Sequence, residues 1–164
     1  GNANGSGNFH ERGGAVFNTS TSGANITPSS PVIANCVITG HNATRGGAIA
    51  EWGNTGRKVA ATFLNCKVTN NTAGNSGSAM ITDANGNGFV ETKIINCVFS
   101  GNRNTNFFGA IAANYGSNLT ITNSTFSGNS SGSDGGALAA GNGNSTITLV
   151  NSIIWNNRAN GVTN

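Results

Sequence analysis

Side chains able to do acid–base chemistry are few in this chain. Carboxylates stand at Glu11, Glu51, Asp83, Glu91 and Asp134, against 8 Lys or Arg and 2 His in 164 residues. One spacing matters. Glu51 and Asp83 lie about one repeat of the chain apart, so a stacked repeat fold brings them near each other. Two neighbouring carboxyl groups suit a retaining glycosidase. Trp52 and Tyr115 fall near the same corner and would stack on a sugar ring. The two acids are offset by one position, however, and successive strand residues point to opposite faces. No catalytic residue is therefore assigned, and Glu51, Trp52, Asp83 and Tyr115 stand as candidates for a carbohydrate site.

The remaining reactive groups point away from metals. Cys36, Cys66 and Cys97 recur at one phase of the repeat and are followed there by Ser124 and Ser152. Zinc needs about four ligands converging on a point, which a straight column does not offer. Three in-register thiols cannot all pair as disulfides. The expectation is a column of reduced, buried, small side chains. His10 and His41 approach one another before Gly-Gly pairs but lack a third ligand. No metal and no cofactor is expected. The net charge of +3 is scattered, with no basic stripe interleaved with aromatics, so no nucleic-acid partner is expected. There is no apolar run of about 18 residues to cross a membrane.

All these positions are set by a repeat. Asn123–Ala140 reads NSTFSGNSSGSDGGALAA; Asn35–Ala50 reads NCVITGHNATRGGAIA; Asn96–Ala113 reads NCVFSGNRNTNFFGAIAA; Asn65–Thr82 is a worn copy. The leading Asn falls at 35, 65, 96, 123 and 151, in steps of 30, 31, 27 and 28. Such a period, with short alternating runs and turns of Gly, Asn and Ser, predicts an all-β, right-handed, single-stranded parallel β-helix of about five coils. Each coil has three short strands: a first after Gly-Gly, a second before Asn-Cys and a third after it. Residues 1–12 read as a tail and turn, and 13–164 as one domain.

Alternation assigns the core. The expected inward columns are Val16, Ile49, Met80, Ile111 and Leu138 in the first strand and Ile33, Phe63, Ile94, Ile121 and Leu149 in the second. The third contributes Ile38, Val68, Phe99, Phe126 and Ile154. The Asn35, Asn65, Asn96, Asn123 and Asn151 column is read as a structural ladder, because Asn tolerates a left-handed backbone and its amides stack. Ala48, Ala79, Ala110 and Ala137, with Ala50, Ile81, Ala112 and Ala139, are expected outside as an apolar strip. Three readings of that strip remain open: a covering loop, a reversed phase or a lateral contact surface.

The Gly46-Gly47-Ala48-Ile49 and Phe99-Ser100-Gly101-Asn102 signatures resemble the right-handed β-helix repeats of bacterial surface proteins. These include polymorphic outer-membrane proteins, autotransporter passengers and adhesin-like secreted proteins. The resemblance implies an extracellular or cell-surface location, and the fold it implies also carries polysaccharide lyases and inert stalks. The expected function is a non-catalytic structural subunit. The alternatives are a carbohydrate-binding adhesin module or, with less support from these short loops, a polysaccharide lyase or glycoside hydrolase. The partner is expected to be the chain itself, further coils of a longer chain, or cell-surface glycans. Head-to-tail stacking would join Ile147, Leu149, Ile153, Ile154 and Trp155 to Val16, Phe17, Val32 and Ile33, after a turn at Arg158-Ala159-Asn160-Gly161 that leads toward another first strand.

Overall fold

A computed structural model of the chain describes residues 11–20 and 28–163, and the backbone of Asn2–Ala3. Most of the expected 1–12 tail, with His10, lies outside the described residues. The fold is a parallel β-solenoid of about five coils. The three expected strands stack into three parallel sheets. The first holds Val16–Thr19, Ile49–Gly53, Met80–Ala84, Ile111–Asn114 and Leu138–Ala140. The second runs through Val32–Ala34, Thr62–Leu64, Phe89–Ile95, Asn118–Thr122 and Thr146–Val150. The third comprises Val37–Thr39, Lys67–Thr69, Val98–Ser100, Thr125–Ser127 and Ile153–Trp155. A fourth, shorter ladder follows the turn after the third strand, through Asn42–Arg45, Thr72–Ser76, Arg103–Asn104, Ser130–Ser131 and Arg158–Ala159.

The expected columns are in register. Ile49 pairs with Met80, Ile94 with Phe63, and Phe99 with Phe126. The stacked rings of Phe99 and Phe126 have centroids 5.0 Å apart. These columns form the main core, which no single coil could enclose by itself.

The alanine strip divides. Ala48, Ala79, Ala110 and Ala137 belong to the main core, not to the outside. The reason is a bulge-like corner. The N–H groups of Ala48 and Ile49 both donate to the Ala79 carbonyl, at 3.2 and 2.9 Å, and those of Ala79 and Met80 both donate to Ala110. Two successive residues on one acceptor break the alternation, so both side chains turn inward. The preceding Gly46 has φ +60°, and a Cβ there would collide with the Ile49 carbonyl. This is the physical content of Gly-Gly-Ala. Ala50, Ile81 and Ala112 do face outward, yet they are buried in a second small cluster with Phe17 and Phe108 packed against it. Phe108, in the turn before Gly109, supplies the covering loop, and the lateral-surface reading falls away. Phe17 accordingly belongs to this outer cluster.

The end of the solenoid departs from expectation. Asn160 and Gly161 have φ of 48° and 78°, the two left-handed residues of a tight hairpin turn. Val162–Thr163 therefore doubles back antiparallel on Arg158–Ala159 and does not lead toward another first strand. The hairpin covers the end of the fourth ladder, and among the described residues Leu138–Ala140, Thr146–Val150 and Ile153–Trp155 are each paired on one side only. Among the expected contact residues there, Leu149 and Ile154 continue interior columns and Ile147 packs against the core. Ile153 continues the outward Val98–Thr125 column and Trp155 the outward Ser100–Ser127 column. Among the described residues no helix is long and apolar enough to cross a membrane.

Candidate functional site

The four residues singled out for carbohydrate do not converge. Glu51 pairs with Thr82, and Asp83 pairs with Trp52, so the two acids sit one position apart and face opposite sides of the first sheet. Glu51 points into the interior and is fully buried. It accepts hydrogen bonds from Asn18 Nδ2 at 3.1 Å, from the Thr92 hydroxyl, and from the Ala61 N–H. Burial raises its pKa above the ordinary value, and these hydrogen bonds only partly oppose the shift.

That direction makes a testable statement. A carboxyl whose pKa is higher folded than unfolded favours the fold in its protonated form. Its contribution is complete below the ordinary value of 4.5 and is lost as pH climbs through the folded value. Glu51→Gln keeps the shape and stays neutral. The variant should match the parent in urea at acid pH and exceed it at neutral pH. A gap between the two that does not change with pH would contradict this burial.

Asp83 lies on the outer side of the sheet, fully buried, and pairs with Arg12 Nη1 at 2.7 Å. Arg12 reaches from the first coil across the second, where its guanidinium carbon lies 3.8 Å from the centre of the Trp52 ring. Burial lowers the Arg12 pKa, against the opposing pull of Asp83. One face of Trp52 is thus taken by a cation and is not open to a sugar ring. Asn114 is next to Asp83 in the same row. The Oδ1 atoms of both are buried with no hydrogen-bond partner among the described residues. Tyr115 is half-exposed in the turn beyond, two coils from Trp52. The arrangement is a structural clamp across three coils.

The two polar ladders differ in depth. Asn35, Asn65, Asn96, Asn123 and Asn151 all have left-handed φ between 48° and 57°. Their amides link on the surface, Asn65 Nδ2 to Asn35 Oδ1 at 3.2 Å and Asn96 Nδ2 to Asn65 Oδ1 at 2.8 Å. A second ladder, Asn71, Asn102, Asn129 and Asn157, is fully buried. Each Oδ1 accepts the backbone N–H of the preceding coil, with His41 as the first donor, at 3.0 Å throughout. Each Nδ2 donates to a third-strand carbonyl: Ile38, Val68, Phe99 and Phe126 in turn. Phe-x-x-Asn marked Asn102 and Asn129 alone, since Val68 and Ile154 stand before Asn71 and Asn157, and only the backbone groups they satisfy reveal their role.

The cysteine column is also a hydrogen-bonding device. All three cysteines are unpaired thiols; Cys66 and Cys97 are buried and Cys36 partly so. Cys66 N–H donates to Cys97 Sγ at 3.4 Å, Cys97 N–H to Ser124 Oγ at 3.1 Å, and Ser124 N–H to Ser152 Oγ at 3.2 Å. Each hydroxyl or thiol in turn donates to a carbonyl two residues back, as Ser124 does to Thr122 at 2.9 Å. Serine continues the column because it satisfies the same groups. Burial raises the Cys97 pKa, which keeps the thiol protonated and unreactive. Among the described residues no group of three His, Cys, Asp or Glu is placed to hold a metal.

Compared with known proteins, the chain matches no family model, no curated protein and no solved structure.

Proposed function

We propose that this chain is a non-catalytic structural β-solenoid of a secreted or cell-surface protein, bacterial by the resemblance of its repeats, and that copies of it stack end to end. The observation that carries the reading is the set of interior columns, which run in register to the last described coil, where a further coil would continue them. Leu149 and Ile154 continue interior columns there, yet are 38% and 43% exposed. Among the described residues the strands beside them pair on one side only. Open strand edges are templates for further pairing, and a contact between two different surfaces that does not close yields a filament. Val16 and Ile33 head the matching columns at the other end. The surface contact thus forms from the first three sheets, beside the terminal hairpin.

The placement of the acids agrees with a structural role, since Glu51 is enclosed in the interior and Asp83 is neutralised by Arg12. Sedimentation of the purified 164-residue chain over a wide concentration range tests the proposal. Growing oligomers or fibres that Ile154→Lys abolishes, with the circular dichroism of the fold unchanged, are expected. A folded chain that stays monomeric at high concentration would overturn it.

A further inference from the structure

The fourth ladder carries a groove of about 510 Å³ on its outer side, across the last three coils. Its charged residues are Arg103 and Arg158, which stand in one column with Ser130 between them: Arg103 pairs with Ser130, and Ser130 with Arg158. Adjacent coils are about 4.8 Å apart, so the two guanidinium stems rise from points about 10 Å apart on one line. Both side chains are exposed, and among the described residues neither forms an ion pair. From Thr92 to Thr163 the sole acidic residue is Asp134, which does not line the groove. Beside the column the exposed hydroxyl of Thr105 also lines the groove, while Asn104 and Ser131 next to it turn inward and are engaged within the protein.

We infer that this groove binds an acidic polysaccharide bearing one anionic group on alternate sugars. The argument is one of matched period. A pyranose residue advances a glycan by about as much as one coil advances this solenoid. A chain laid along the column therefore meets Arg103, then the Ser130 hydroxyl, then Arg158. Arginine holds carboxylate or sulfate through paired, charge-assisted hydrogen bonds, and the hydroxyl between suits a neutral sugar. No aromatic ring lines the groove, so it lacks the stacking platform on which single-stranded nucleic acid depends. The volume is that of an ordinary ligand cleft. This site is separate from the end-stacking surface and stands or falls independently of it.

Calorimetric titration with hyaluronan oligosaccharides, which carry one carboxylate per disaccharide, tests the inference, with neutral dextran as the control. Hyaluronan should bind and weaken as salt rises. Arg103→Gln and Arg158→Gln, both at exposed positions that tolerate substitution, should each weaken binding about tenfold or more. Lys93→Gln, on the outer face of the second sheet, should leave affinity unchanged. Absence of hyaluronan binding, equal binding of dextran, or an equal loss on Lys93→Gln would overturn the proposal.

Discussion

Replacing Asn102 by Asp should unfold much of the solenoid at neutral pH. Asn102 Oδ1 accepts from both the N–H and the amide of Asn71, each at 3.0 Å. Its Nδ2 donates to the Val68 carbonyl at 2.9 Å and to Asn129 Oδ1 at 3.0 Å. Nothing at this position reaches water. Aspartate has the same shape and can accept from Asn71, but its second oxygen faces two acceptors and carries a buried charge. Each buried group left without a partner costs about 1–3 kcal/mol, so losing the two Nδ2 contacts costs about 2–6 kcal/mol. That is a large share of a domain's typical stability. Asn96→Gly supplies the contrast. It removes an amide link at an exposed rung while keeping the left-handed backbone, and should cost no more than about 1 kcal/mol. Urea unfolding of both variants checks this. If Asn102→Asp loses no more than Asn96→Gly, the inner ladder is not what joins the coils.

A comparable loss is expected on Arg12→Met, which removes the cation beside Asp83. Breaking a buried ion pair from one side leaves an uncompensated charge and costs about 3–5 kcal/mol. The two partners are not equivalent. Asp83 is fixed within a strand between Trp52 and Asn114 and has no route to solvent. Arg12 is a long side chain at the first corner. Arg12→Met should therefore be the more damaging single change and Asp83→Ala the milder one. The double variant Arg12→Met/Asp83→Leu should recover most of the loss, because apolar groups of similar volume replace a buried pair at little cost. Thermal melts of the two single variants and the double variant check this ranking. Single variants within about 1 kcal/mol of the parent would place the pair in the weak class of surface ion pairs.

The repeat by itself specifies some of these features and leaves others to the packing of the coils. The period of the leading Asn residues was enough to establish stacked coils, the three strands and the interior columns. In a parallel solenoid, residues at one phase of the repeat meet their counterparts directly, so spacing along the chain becomes position in space. The left-handed turn at each leading Asn was legible for the same reason, since few residues tolerate that backbone. At Arg158-Ala159-Asn160-Gly161 the repeat predicted a turn toward another first strand, whereas the left-handed Asn160 and Gly161 close a hairpin instead.

What alternation did not decide was the corner after Gly-Gly. Whether Ala48 faces in depends on which carbonyl its N–H finds, and that carbonyl belongs to Ala79 in the following coil. The inner ladder has the same character, because the side-chain oxygen of Asn102 serves a backbone N–H 31 residues away. Arg12 and Asp83 are 71 residues apart, and no local pattern announces that one reaches over a tryptophan to the other. Composition and period alone determined the stacking of the chain. Only the tertiary structure decided which polar groups the stack buries, because a buried donor takes whatever acceptor the neighbouring coil brings within reach.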